Sequence, residues 1–511
     1  MKQSRFIKAV YNEKRLAVIF AVLFALSLLP LLALAFYNHP GVDDFGYGIR
    51  TRAAYLATHN IAAVLAAAGA TVAETYRDWQ GTYASVFLFA VNPAVFGEAL
   101  YPVTTFIMLS MLIGSTVFLL QTLIVGVLGS DRKYVALAAV PVLYFSIEAL
   151  PFPVEGLYWY NGSVHYTFCY SLMLFLLGLC ISLYQAAPPP GGKEPRPYWL
   201  KAVLAALLCP AIGGGNLVTG LVAALFLAGL VAACFACRRP LRAKITITVL
   251  FMLLLAAFFV NVLAPGNAIR AVEEGYGGFG GPYQAVMAIL MSLYAAGYNI
   301  ALWLDLRLLA LLIFLAPVFW RLTGDTAYAF KRPWLAVLAS YLLYAAGFAP
   351  ALYATGNMGR GRVRNILFCT LVLLVFINYV YLLGWLRRRL EARPPAGGKA
   401  ALARFSLVAP YASAAFALVF LLASAYHLKG HTSYTAAAHL LDGSARQYSR
   451  EMKGWYEILH DENIKQAYLP PLTNPPVLLY WNNILPDKDH YENQELARFY
   501  QKEYVVAEQS P

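Results

Sequence analysis

Apolar runs of about twenty residues, broken by short polar segments, recur along most of the chain. Wound as an α-helix, a run of that length matches the hydrocarbon thickness of a bilayer. The runs predict eleven spans, at residues 16–36, 103–128, 134–150, 166–185, 199–213, 217–236, 245–263, 301–320, 334–354, 365–386 and 405–426. They are long and rich in leucine and alanine, which argues against a membrane β-barrel, whose strands alternate every second residue. The first run lacks a small-residue cleavage site and ends in Phe36-Tyr37, so it reads as a retained span and not as a signal peptide. The expected class is an all-α polytopic membrane protein.

The polar segments are unequal. Between the first two spans lie residues 37–102, too many for a plain connector. Within them, 50–60 and 61–82 carry helical spacing with an alanine-rich face, as expected of helices lying along a membrane surface. After the seventh span, 284–299 has the pattern of a short re-entrant or interfacial helix. Residues 427–511 form a polar tail, with helical stretches near 436–460 and 492–505 around a proline-rich middle. The expected organisation is a transmembrane unit over 1–426 and a small cap over 427–511.

Composition agrees with the pattern. Of 511 residues, 60% are hydrophobic and 13% charged, against about a quarter charged in a soluble protein. Mean hydropathy is +0.59. Lys and Arg are divided unevenly: 23 fall in the N-terminal segment and alternate loops, and 7 in the opposite loops, the tail aside. Basic residues stay on the cytoplasmic side, so the N-terminus is expected inside and the C-terminus outside. The net charge of +13 is then a matter of topology, and no nucleic-acid partner is implied. The six cysteines lie in or beside spans, which leaves no disulfide framework. The pair Cys234/Cys237 stands at a helix end without a second pair, so it reads as filler and not as a metal site.

Candidate chemistry gathers on the outer side. The stretch 36–48, FYNHPGVDDFGYG, sets Asp43 and Asp44 at the mouth of the first span. A carboxylate there can act as general base or metal ligand, or simply cap a helix starting near Tyr47. Neighbours at i and i+1 point different ways, so one of the two is expected to reach the chemistry. Arg360, Arg362 and Arg364 in GNMGRGRVRN break the positive-inside tendency, and guanidinium forks suit a phosphate at headgroup depth. Arg270, after the turn Ala264-Pro265-Gly266-Asn267, is a fourth phosphate candidate. Glu155, Trp159, Asn161, His165 and Tyr166 mix hydrogen-bonding groups with rings, as sugar sites do; Trp79, Gln80 and Asn267 join them as candidates from flanking motifs. Glu74 and Asp78 share a helix face that reads equally well as solvated. Asp305 with Arg307 reads as a structural ion pair.

Taken in order, VDDFGYG, Tyr76-Arg77-Asp78-Trp79-Gln80-Gly81-Thr82-Tyr83, Tyr158-Trp159-Tyr160-Asn161-Gly162 with His165-Tyr166, Ala264-Pro265-Gly266-Asn267 with Arg270, and Asn493-x-x-Leu496-Ala497-x-x-Tyr500 resemble a bacterial family of the GT-C superfamily of integral-membrane glycosyltransferases. The resemblance implies a polyprenyl-phosphate-linked sugar as donor, a glycan or lipid acceptor, inversion at the anomeric carbon, and a place in the bacterial inner (plasma) membrane. It implies Asp43 or Asp44 as base, Arg270 with Arg360 or Arg362 on the phosphate, and Trp159, Asn161 and His165 around the sugar. Some relatives use a divalent metal, Mg or Mn, on the equivalent acids; here a clear third acidic ligand is missing from the motif. Three rivals stand beside it, of which a non-catalytic membrane scaffold leaves the Asp43-Asp44 turn and the arginines at 360, 362 and 364 unexplained. Gly213-Gly214-Gly215-Asn216 could break a helix, as in a transporter or lipid-carrier flippase, though no inverted repeat accompanies it. An O-antigen ligase or polymerase would need its large loop late in the chain, whereas the large loop here is the first.

Overall fold

In a computed structural model the protein is described over residues 12–41, 43–186, 198–275, 281–392, 398–482 and 484–508, with 398–410 described by backbone alone. It is 78% helical. Among the described residues nine helices are long and apolar enough to cross a membrane: Glu13–Ala35, Glu98–Val127, Tyr160–Gln185, Leu217–Ala236, Leu241–Val262, Gly281–Trp303, Leu306–Gly324, Pro333–Thr355 and Gly361–Ala392. This is an all-α polytopic architecture. Three expected spans fall on other helices: Lys133–Glu148 and Tyr198–Gly213, of 16 residues each, and Gly398–Tyr426. Conversely, Gly281–Trp303 is longer than the stretch read as interfacial. Near its start Gln284 donates to the Leu352 carbonyl, and near its end Asn299 donates to Met358 Sδ.

Local signals explain where several helices begin. Asn12, Asn60, Asn216 and Asp305 each accept a backbone N–H of the first turn with their side chains. Pro30, Pro141, Pro210 and Pro317 sit inside helices, which membrane helices tolerate because neighbours satisfy the freed carbonyls. The first helix leaves Val18, Ile19, Val22, Leu23, Leu26 and Leu29 more than half exposed, a stripe suited to lipid and not to water. Elsewhere small residues let helices approach closely. A Cβ on Gly213 would meet the Ala257 Cβ at 2.7 Å, and one on Gly220 would meet Phe258 Cδ2 at 2.7 Å. The Gly213–Asn216 break is a turn with its bonds satisfied: Asn261 Nδ2 donates to the carbonyls of Gly213 and Gly215, and Asn216 Nδ2 to that of His165.

The long first loop folds as helices Asp43–Thr58, Ile61–Asp78 and Tyr83–Ala90. The first begins at Asp43 itself, earlier than the expected start at residue 50, and the second ends at Asp78. The tail contains helices Thr432–Leu441, Ser444–His460 and Tyr491–Phe499. The second helical stretch expected at 492–505 stops at Phe499; Tyr504–Ala507 is instead a strand, β2, pairing in parallel with β1, Gln466–Leu469. A four-residue apolar run is too short for periodicity to separate strand from helix. The tail rests on the first loop. Phe45 packs against Phe499 and Tyr500, Tyr500 Oη donates to Glu98, and Arg52 lies over the rings of Phe499 and Tyr500.

Candidate active site

The two aspartates have different surroundings. Asp44 is fully buried. Its Oδ2 accepts from Tyr101 Oη at 2.5 Å and from the Gly41 N–H at 3.2 Å, and its Oδ1 accepts from the Asn161 N–H at 3.1 Å. Tyr101 Oη in turn accepts from the Tyr160 N–H, and the Asp44 carbonyl accepts from Asn92. Burial pushes the Asp44 carboxyl up to about 7, against the pull of these donors. It is thus a tie between the first loop and the 159–161 segment.

Asp43, one residue earlier, is half-buried, and its carboxylate has no hydrogen-bond partner among the described residues. The cations whose charge reaches it are Arg362, Arg270 and Arg360, with Glu492 of the tail the nearby anion. Burial raises its pKa above the ordinary carboxylate range while the arginines oppose the shift. Tyr47, one helical turn on, shares the face of Asp43. Its hydroxyl accepts from Gln80 Nε2 at 3.0 Å, and Gln80 Oε1 accepts from Arg270 at 2.5 Å.

Each arginine is placed by its loop. Arg270 lies over Trp79 and pairs with Glu274 at 3.0 Å. Its turn sits directly on the Trp79-Gln80-Gly81 backbone: a Cβ on Gly266 would overlap the Trp79 nitrogen, and one on Gly81 would overlap the Asn261 carbonyl. Only glycines allow that approach. Asn267 is the staple between the two segments, accepting from the Gly81 N–H and donating to the Asn261 carbonyl. Arg362 lies over Trp159 at 5.0 Å and Tyr166 at 5.9 Å, without an anionic partner among the described residues. Arg360 is exposed at the start of the same helix. Arg364 lies over Phe152. Two residues apart on a helix point to opposite sides, so Arg364 diverges from Arg362, whose charge reaches Asp43 together with those of Arg270 and Arg360.

The 152–168 stretch winds wider than an α-helix at Val154–Tyr158 and again at Val164–Phe168, on either side of the single turn Tyr160–Ser163. Such π-turns re-aim side chains and recur at functional sites. Asn365 bonds the backbone of Phe152 in both directions, and Asn38 donates to the Tyr158 carbonyl. Held in this way, the stretch presents three buried groups without partners among the described residues: Trp159 Nε1, both side-chain ends of Asn161, and His165 Nδ1. Unmet polar atoms in one segment are costly unless a ligand meets them. Glu155 is used differently from the sugar-reading role expected: it accepts the Arg362 N–H at 3.3 Å and packs on Gly361, supporting the arginine-bearing helix start. Trp159 is also less open than expected, being stacked on Trp481 of the tail at 5.2 Å and 10°.

Of the remaining candidates, Glu74 pairs with exposed Arg50 on a solvated face, and Asp305 caps its helix while pairing with Arg307. Among the described residues no group of three or more His, Cys, Asp or Glu could hold a metal ion, and both Asp44 oxygens are engaged by protein donors. These residues do not fit a metal centre, and no step below runs through one. Tyr47, Tyr101, Trp481, Tyr491, Glu492 and Glu495 belong to the site region without having been singled out in the sequence. Only Tyr47 carried a local signal, its spacing of four from Asp43. Beside the site, apolar grooves of about 460 and 530 Å³ share Gly69, Val72 and Tyr83; the first reaches Leu88, Phe168 and Cys169, close to His165. In comparisons with known proteins, no family model matches the chain and no curated protein is similar enough to count as a relative.

Proposed function

We propose that this protein is a GT-C-type membrane glycosyltransferase that moves a sugar from a polyprenyl-phosphate donor to an acceptor hydroxyl on the extracytoplasmic face of a bacterial plasma membrane, with the N-terminus inside and the tail outside. One observation carries the reading: Asp43, a carboxylate without a hydrogen-bond partner among the described residues, lies within reach of the charges of Arg362, Arg270 and Arg360, which come from two separate loops at the ends of membrane-crossing helices. The acceptor oxygen attacks the anomeric carbon and its proton passes to Asp43. The anomeric C–O bond breaks, and polyprenyl phosphate leaves with the bonding pair, giving inversion. Arg362, Arg360 and Arg270 match the charge on the departing phosphate, so no general acid is required. Asn161 and His165 meet the donor sugar. The apolar groove beside His165, walled by the surface helix Ile61–Asp78 and by span residues, suits the prenyl chain of such a donor. Arg364 and Glu155 support the fold of the site.

The test is sugar transfer from a radiolabelled polyprenyl-phosphate sugar by full-length protein in detergent, wild type beside Asp43→Asn. Turnover in the wild type that falls at least a hundredfold in the variant is expected, the range of a lost general base. Donor binding without turnover, or equal turnover in both, would overturn the reading and favour a flippase.

A further inference from the structure

Between the tail and the first loop lies a slot lined by Gly41, Trp159, Tyr480, Trp481, Asn482 and Glu492, its enclosed part about 50 Å³. Two of its lining groups, Trp159 Nε1 and Tyr480 Oη, are buried donors without partners among the described residues. Trp159 is 4% exposed, and leaving its N–H unmet costs free energy that a ligand oxygen would recover. Glu492 is buried on the same wall, where its Oε1 already accepts from Asn482 and Tyr491. No Lys or Arg lines the slot. Its lining adjoins the aspartates: Gly41 donates to Asp44, and the charge of Glu492 reaches Asp43.

Aromatic walls, two waiting donors and one carboxylate form a set suited to a hydroxyl-bearing ring. Arg362 lies over the Trp159 ring at 5.0 Å, so the slot adjoins the cations of the site. We propose that this slot is the acceptor subsite, and that it takes a hydroxyl-bearing edge of a saccharide. This rests on the glycosyltransferase reading and adds the class of acceptor. The enclosed volume has room for a few waters, so it receives one hydroxyl-bearing edge of a ring, while the rest of the acceptor passes out beside Trp481. Trp481 and Glu492 make the tail part of the site itself.

Two measurements on the full-length protein test this. In the first, intrinsic tryptophan fluorescence is titrated with cellobiose and N,N′-diacetylchitobiose. Saturable change with at least one of the two disaccharides is expected, weakened tenfold or more in Glu492→Gln and Trp481→Ala and unchanged in the surface control Glu457→Gln. Absence of saturable change with both neutral sugars, or equal binding in the variants, overturns the proposal. In the second, release of sugar from the donor to water is compared with transfer to acceptors in isolated membranes. Both variants should lose transfer at least tenfold more than they lose hydrolysis. Parallel loss of both would mark the tail as merely structural and overturn the subsite. A wild type that binds neutral disaccharides but turns over no donor removes the glycosyltransferase reading and leaves the saccharide slot standing.

Discussion

Asp43 and Asp44 show how far one residue step can separate two roles. Asp44 accepts from three donors and has no surface left, so Asp44→Asn must turn an NH2 group toward at least one N–H or O–H that now donates to it. An unmatched buried donor pair costs about 1–3 kcal/mol. Asp43→Asn breaks no hydrogen bond and should change stability by less than about 0.5 kcal/mol. Thermal unfolding in detergent separates them: Asp44→Asn is expected to melt well below the wild type and Asp43→Asn at the same temperature, although only the latter removes the proposed base. Because burial raises the pKa of Asp43, its basic form predominates only above the ordinary carboxylate range, so the acid limb of the pH–rate profile should lie at higher pH than for a free aspartate and should be absent from any residual activity of Asp43→Asn. The sequence showed the pair but not the division, which depends on Tyr101 and Asn161, far along the chain. Arg360, Arg362 and Arg364 were legible because they interrupt the charge bias expected of alternate loops. That Arg364 turns aside followed from helical spacing once the helix start at Gly361 was known.

At the scale of elements, the tail and the first loop are joined through His39. Its ring lies between Ser449 Oγ and Tyr456 Oη, each at 3.1 Å, and against the ring of Tyr448. Burial pushes its pKa down to about 4, with Lys453 adding to the shift and Glu98 opposing it. A histidine whose folded pKa lies below its unfolded value of about 6.5 gives stability that is complete above 6.5 and is lost as pH falls toward about 4. Tail docking should therefore loosen across that window. Limited proteolysis at stepped pH is expected to cut within 427–508 faster below about pH 5, and His39→Gln should flatten the dependence. The helical parts of the tail were readable from their periodicity. Its attachment was not, because Trp481 and Trp159 meet across more than three hundred residues of chain and neither carries a local sign of the other. The β1–β2 pair was missed for the same reason, its ladder being formed by two short runs that each look ambiguous alone.

At the scale of the whole molecule, the polytopic class was legible in the apolar runs, since a bilayer demands a length that no other environment does. The number of spans was less so. Lys133–Glu148 and Tyr198–Gly213 have the composition of spans at shorter length, and Gly281–Trp303 has the length where a surface helix was expected. Sidedness is open to a direct check. Cys237 is the exposed cysteine among six free ones, at the end of helix Leu217–Ala236 remote from the site, whereas Trp481 borders the site. A membrane-impermeant thiol reagent added to intact cells should label Trp481→Cys and spare Cys237; inverted vesicles should reverse the pattern. The opposite result would place the proposed chemistry on the cytoplasmic side.

The stacking of Trp481 on Trp159 has a consequence for biosynthesis. Asp43 leaves the ribosome more than four hundred residues before Trp481, Tyr491 and Glu492, which must then reach the face where Asp43 stands. Until that happens the cleft has its carboxylate and its arginines but lacks one wall. A chain stalled or cut during synthesis would therefore be inserted in the membrane, able to hold lipid in its grooves, and unable to complete the pocket. The later of the two segments decides when the pocket is complete.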